Sequence, residues 1–203
     1  MNGLSDRQVG VVGFQNERSM GLLKADLLCT DYDAPTEGKG MAVRRLLVVL
    51  GDQLDLDAAL LQGSDPKQDL VWMAEVRQES TLASSKMRSA LFLSAMRHFA
   101  QALRERGWRL DYQRLEDPKA FESLGERLQH CIDVHQPQEV MMTAPGDWRV
   151  LQDLRAAVAH SGRQLLIDED RHFYTTVRDF AQHAKGRKQL RMEFWYREQR
   201  QRH

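Results

Sequence analysis

Polar side chains that follow an apolar run near residue 50 are the strongest candidates for ligand contacts in this 203-residue chain. Residues 46–50 are all apolar, Gly51 then permits a sharp turn, and Asp52 and Gln53 come next. In open α/β sheets, ligands bind at the carboxyl ends of the strands. A carboxylate and an amide at that edge can pair with the polar groups of a bound molecule. Asp52 is equally compatible with capping a helix predicted from about residue 57.

Three other titratable residues are weaker candidates. Glu75 lies near the end of a second apolar run, residues 69–76. Cys131 continues the apolar face of a predicted helix, which favours core packing over a nucleophile. His172 has no nucleophile or metal-ligand spacing beside it, so a solvated loop over residues 169–176 is favoured, anchored by Phe173 and Tyr174.

Apolar runs alternate with amphipathic segments through most of the chain, a pattern typical of successive βα units and a mostly parallel sheet. The continuous runs predict buried strands, whereas the alternating third strand is expected nearer a sheet edge. Strands are predicted over residues 46–50, 69–76, 109–115, 139–144 and 164–168. Helices are predicted over residues 57–62, 84–106, 117–135 and from 147 to Gly162.

The longest predicted helix, residues 84–106, has a recognisable apolar stripe. Ser84 or Ser85 can cap its start, and Gly107 ends it. The residues expected to face the core are Leu91, Ala95, Phe99 and Leu103, supported by Phe92 and Met96.

Composition excludes several classes of protein. Lysine and arginine total 29, as do aspartate and glutamate, so net charge gives no attraction to nucleic acid or membrane. The two cysteines, Cys29 and Cys131, lack the spacing of a disulfide scaffold, a zinc site or an iron–sulfur cluster. No apolar run reaches membrane length and no signal peptide is recognisable, which predicts a cytoplasmic α/β domain.

The two ends of the chain differ from this α/β domain, which is expected to span residues 41–184. Residues 1–40 have weak periodicity and end in a linker-like segment, which predicts a poorly structured extension. A genuine amino-terminal arm is the alternative. We expect deletion of residues 1–40 to leave thermal stability nearly unchanged.

The carboxy-terminal segment, residues 185–203, is basic and aromatic. It has seven positive and two negative side chains, a net charge of +5. Such a segment could bind nucleic-acid backbone, but Met192, Trp195 and Tyr196 share one helical face, which favours a docking helix. A helix over residues 186–203 is therefore expected, with an exposed apolar face through which the protein self-associates.

Six sequence blocks, in this order, resemble the deoxyribodipyrimidine photolyase-related proteins, the iron–sulfur bacterial branch of cryptochromes and photolyases. The resemblance covers about residues 43–203. The blocks are LGDQL at 50–54, MAEV at 73–76, ALFLSAMRHFA at 90–100, PGDWR at 145–149, EDRHF at 169–173 and GRKQLRME at 186–193.

The resemblance implies a Rossmann-like antenna domain that is joined, in the family, to a larger helical domain. That second domain carries the flavin, the iron–sulfur cysteines and the DNA surface. This chain ends where it would begin, so we expect neither FAD nor an iron–sulfur cluster here and no photolyase activity from the chain alone. The helical domain is expected to be encoded separately or lost, and DNA to be bound only through it. We further expect a five-stranded parallel sheet of order 3-2-1-4-5, with helices on both faces and residues 46–50 central.

The resemblance also implies a ribityllumazine-type antenna chromophore at the carboxyl ends of the strands. Ser84 and Ser85 stand where relatives often have histidines, so at this helix start the chain departs from the family pattern. A non-enzymatic α/β protein-interaction module is the alternative function. The candidate contacts with the chromophore are Gly51, Asp52, Gln53 and Leu54, with Glu75 and Val76 as weaker candidates.

Overall fold

The protein is built on a five-stranded, wholly parallel sheet with strand order β3-β2-β1-β4-β5. The structure, a computed structural model, describes residues 42–75, 85–117, 121 and 123–202. The expected fold class and strand order are confirmed. The strands are β1 Arg45–Val48, β2 Leu70–Ala74, β3 Arg109–Gln113, β4 Glu139–Thr143 and β5 Leu165–Asp168.

Six helices follow or flank these strands in the described part of the chain. Four begin with a side-chain cap from Ser85, Ser123, Asp147 or Thr176, each accepting a backbone N–H of the first turn. The helices are α1 Ala59–Gln62, α2 Lys86–Glu105, α3 Leu124–His135, α4 Trp148–His160, α5 Val177–Ala184 and α6 Met192–Arg202.

β1 is the central strand because it pairs with β2 on one side and with β4 on the other. Leu46 pairs with Leu70 of β2 on one side and with Val140 of β4 on the other. The strand order reverses between β1 and β4, which opens a crevice at their carboxyl ends. β3 lies at an edge of the sheet, as its alternating sequence predicts.

Alternate residues of β1 enter two different cores. Leu46 and Val48 pack with buried residues of α3 and α4 on one face of the sheet. Leu47 packs with α1 and α2 on the other face. Because both faces of β1 are buried, residues 46–48 all pack in an apolar core, which explains the continuous apolar sequence.

The expected apolar stripe of α2 is wrong in its first half. Leu91 is 73% exposed and Ala95 is also exposed, whereas the buried residues are Met96, Phe99, Ala100 and Leu103. Phe92 already lies over Gly51, beyond the end of β1, so earlier residues of α2 extend past the sheet. The predicted start of α3 at 117 is also wrong, because Ser123 caps that helix.

The carboxy-terminal segment, residues 185–203, forms a single helix as expected, but this helix, α6, begins at Met192 and not at 186, and it packs against α5, which precedes the segment. Trp195 of α6 is buried, with its ring 5.4 Å from that of Phe180 and 4.9 Å from that of His183 in α5. Glu198 of α6 bonds His183 Nδ1 at 2.8 Å and Arg187 at 2.9 Å. The aromatic cluster expected to be exposed is thus divided, with Trp195 inside and its neighbours outside.

Two expectations concern other parts of the chain. Residues 1–40 lie outside the described residues. Within the described ranges, no helix is both long and apolar enough to cross a membrane.

Candidate functional site at the carboxyl edge of the sheet

The turn after β1 is shaped by the close approach of α2. A Cβ atom added to Gly51 would lie 2.5 Å from the ring of Phe92 and 2.9 Å from the sulfur of Met96. Real Cβ contacts are not that short, so any larger residue at this position would require the Phe92 ring and the Met96 side chain to shift. Phe92 is 39% exposed and forms an aromatic wall above the turn.

Gln53 joins the ends of β1 and β4 across the crevice. Its side-chain nitrogen donates to the carbonyl of Ala144 at 3.1 Å and to that of Thr143 at 3.4 Å. Its backbone N–H donates to Leu50 and closes the turn. Asp52 is thereby held at an exposed position on a fixed backbone, and it does not cap α1, which follows Ala58.

Leu54 is half-buried and packs against the core on the α2 face. The structure thus brings Gly51, Asp52, Gln53 and Leu54 together in one turn at the carboxyl edge. Val76 lies outside the described residues. Whether these residues contact a chromophore stays a prediction.

Glu75, at the end of β2, is buried and bound by three groups of the chain itself. Arg97 donates to both carboxylate oxygens at 3.0 and 2.9 Å, and the Tyr112 hydroxyl and the Leu115 N–H complete the set. Burial alone would raise the pKa of Glu75, but these hydrogen bonds outweigh it and lower the pKa. The carboxylate therefore fixes the ends of β2, β3 and α2 relative to one another.

His172 joins the loop after β5 to the loop after β1. Its Nε2 lies 2.9 Å from Asp55 and its Nδ1 lies 2.8 Å from Asp170. Both carboxylates raise the pKa of His172, and the carboxylate of Asp170 has the larger effect. The imidazole is over half exposed and acts as a bridge between two loops at this edge.

The expected anchoring of the 169–176 loop by its aromatic residues is wrong. Phe173 is 70% exposed and Tyr174 is 87% exposed, so the contacts of His172 hold the loop instead. Beside it lies an open cleft of about 420 Å³, lined among others by Ile167, Asp168 and Arg178.

Sequence reasoning missed Phe92 and Asp55 as residues of this edge. Phe92 was assigned to the core because its helical spacing matches the buried residues of α2. Asp55 has no local signal, since its partner His172 is 117 positions away in the chain.

The sequence matches the family model for deoxyribodipyrimidine photo-lyase-related protein over residues 47–203. It is also 38% identical over 157 residues to a protein of Agrobacterium fabrum named (6-4) photolyase. That alignment covers 77% of this chain and 31% of the relative, so the chain spans less than a third of the curated relative.

Proposed function

Because the chain belongs to the deoxyribodipyrimidine photolyase-related family, we propose that it is the antenna-chromophore domain of a DNA-repair flavoprotein of the photolyase and cryptochrome type. Its task would be to hold a light-absorbing ring and pass the excitation to a flavin in a separate helical domain. The α/β fold and the turn at residues 51–54 support this assignment.

The observation that carries the proposal is the turn between β1 and α1. Gly51 lets the backbone pass directly beneath Phe92, which leaves one aromatic face partly open. Asp52 stands exposed on the turn that Gln53 fixes to β4. A ribityllumazine has a flat polar ring and a hydroxylated chain, so Phe92 would stack on the ring and Asp52 would accept from its hydroxyl or ring N–H groups.

The iron–sulfur cluster of the family does not fit the cysteines of this chain. A four-cysteine iron–sulfur site needs more thiols than the two cysteines present. We propose that flavin, cluster and DNA are all bound by a helical partner domain, and that the chain alone does not repair DNA under blue light.

The proposal is tested by titrating the full chain into a dimethyl ribityllumazine and following fluorescence anisotropy. We expect saturable binding that Asp52→Asn weakens by about tenfold, the cost of one charge-assisted hydrogen bond. Asp57→Asn is the matched control, because Asp57 is also an exposed acid and lies five positions along the same connection. No saturable binding, or equal losses in both variants, would contradict the antenna assignment.

A protein-interaction module is the second candidate, favoured by exposed apolar side chains near the carboxy terminus. Leu190, Met192, Phe194 and Tyr196 are each at least 42% exposed. Patches of this kind mark contact surfaces. Association that persists in a chain unable to bind the lumazine would favour this function.

A further inference from the structure

We propose that Asp111, Cys131 and His135 form a Zn²⁺ site between β3 and the carboxy-terminal end of α3. This site is remote in sequence from the turn at residues 51–54 and does not depend on the antenna assignment. The three side chains offer a carboxylate oxygen, a thiol sulfur and an imidazole nitrogen, a donor set that suits zinc.

The backbone positions the three donors on a common surface. Cys131 and His135 are four residues apart in α3, so their side chains lie on the same helical face. Asp111 is paired in register with Trp72, whose side chain packs with Cys131 in the core on the α3 face. All three proposed ligands therefore lie on regular secondary structure, one on β3 and two on α3, and none lies on a loop.

The distances between donor atoms are close to those of a tetrahedral zinc site. All three lie within 4.8 Å of one another, and His135 Nε2 is 3.1 Å from Asp111 Oδ2. Zn–N and Zn–O bonds of about 2.0 Å and a Zn–S bond of about 2.3 Å require separations of about 3.3–3.6 Å. The Cys131 sulfur needs to approach by no more than about 1.3 Å.

The surroundings orient the carboxylate, and the guanidinium of Arg127 adds one positive charge beside it. Arg127 bonds Asp111 Oδ1, which directs Oδ2 towards His135. Such a partner outside the ligand shell fixes a metal-binding carboxylate. The carbonyl end of α3, where His135 is the last helical residue, carries partial negative charge.

Binding would exchange protons for the metal. The Cys131 side chain is buried, and its sulfur would bind as thiolate, with the thiol proton released to solvent as Zn²⁺ enters. Cys131 binds as thiolate, Asp111 as carboxylate and His135 as neutral imidazole. The His135 side chain is 23% exposed, which gives the ion a route from solvent.

The test uses Co²⁺ as a spectroscopic probe on the full, reduced chain. We expect one equivalent of Co²⁺ to produce a thiolate-to-cobalt charge-transfer band that Zn²⁺ abolishes by displacement. Cys131→Ser should eliminate the band. Cys29→Ser is the matched control and should retain it, because Cys29 is the other cysteine of the chain. Circular dichroism reports whether each variant is folded.

A second variant keeps the proposal testable if Cys131→Ser fails to fold. His135→Gln removes a partly exposed ligand, and we expect Co²⁺ affinity to fall by at least about tenfold. His98→Gln, a change at an exposed histidine of α2, should leave affinity unchanged. The proposal is overturned if no band forms, or if the band depends on Cys29 and not on Cys131.

Discussion

Asp69 and Glu75 are buried carboxylates that flank the two ends of β2, and each is neutralised by arginine. Asp69 accepts from Arg44 and Arg45, while Glu75 accepts from Arg97. A charge buried without such partners would cost several kcal/mol. Sequence alone placed Glu75 at a strand end, but its distant partners could not be predicted. The exposure of Asp52 followed more directly from its position beyond the strand.

Glu75→Gln should destabilise the fold by roughly 2–4 kcal/mol, because it leaves the partly buried Arg97 without its main counter-charge. Urea unfolding measures this loss. The matched control is Glu116→Gln, since Glu116 pairs with the same arginine but is 56% exposed. We expect that control to change stability by less than about 0.5 kcal/mol.

The stabilising effect of Glu75 should also depend on pH. Because the pKa of Glu75 is lowered in the folded protein, the carboxylate stabilises the fold fully above the ordinary glutamate pKa, and this stabilisation is lost as pH falls through the lowered pKa.

The His172 bridge should weaken as the solution becomes more alkaline. Its folded pKa is raised above the ordinary value of 6.5, so its stabilising effect is complete below that value and is lost as pH rises through the raised pKa. NMR titration of the imidazole should show the raised pKa, and Asp170→Asn should lower it more than Asp55→Asn does. An unshifted His172 in the unsubstituted protein would contradict the bridging geometry.

At the scale of elements, the βα order was predictable because each strand has a distinctive pattern. Doubly covered β1 is continuously apolar, and edge strand β3 alternates. Helix ends were less predictable: the cap that starts α3 competes with an equally plausible Asp-Pro start at residue 117. α5 was missed because it is only eight residues long and its buried side chain is a histidine.

The contact between α3 and α4 depends on a glycine. A Cβ at Gly125 would lie 2.4 Å from the Asp153 carboxylate and 2.9 Å from the Asp153 carbonyl oxygen. That carboxylate also accepts the Gly125 N–H at 2.7 Å, which ties the first turn of α3 to α4.

Gly125→Ala should therefore destabilise the protein by about 1–3 kcal/mol, although alanine favours helix by about 1 kcal/mol at an unhindered site. Chemical denaturation measures whether the free energy of unfolding falls or rises in this variant. Gly146→Ala is the control, because nothing lies within 4 Å of its Cβ position. A stabilised Gly125→Ala variant would show that the two helices can separate without loss.

For the whole molecule, the described carboxy terminus separates into a buried side and an exposed side. Trp195 of α6 packs against Phe180 and His183 of α5, so removal of α6 would expose those two side chains. Truncation would then expose the α5 side chains that Trp195 covers, while it removes the exposed apolar side chains of α6. Surface substitutions that keep Trp195 test the self-association expected from the sequence more directly.

Replacing Phe194 and Tyr196 by serine should reduce self-association and apolar-dye binding while leaving the sheet intact. Both side chains are more than 40% exposed, so their loss removes contact surface without opening the helix pair. Sedimentation velocity and dye fluorescence measure the effect, and far-ultraviolet circular dichroism monitors the fold. The matched control replaces Phe173 and Tyr174, which are also exposed aromatics but lie in the loop after β5. If the control pair, and not the α6 pair, abolished association, the contact surface would be the carboxyl edge of the sheet, and the docking role expected of the carboxy-terminal segment would be wrong.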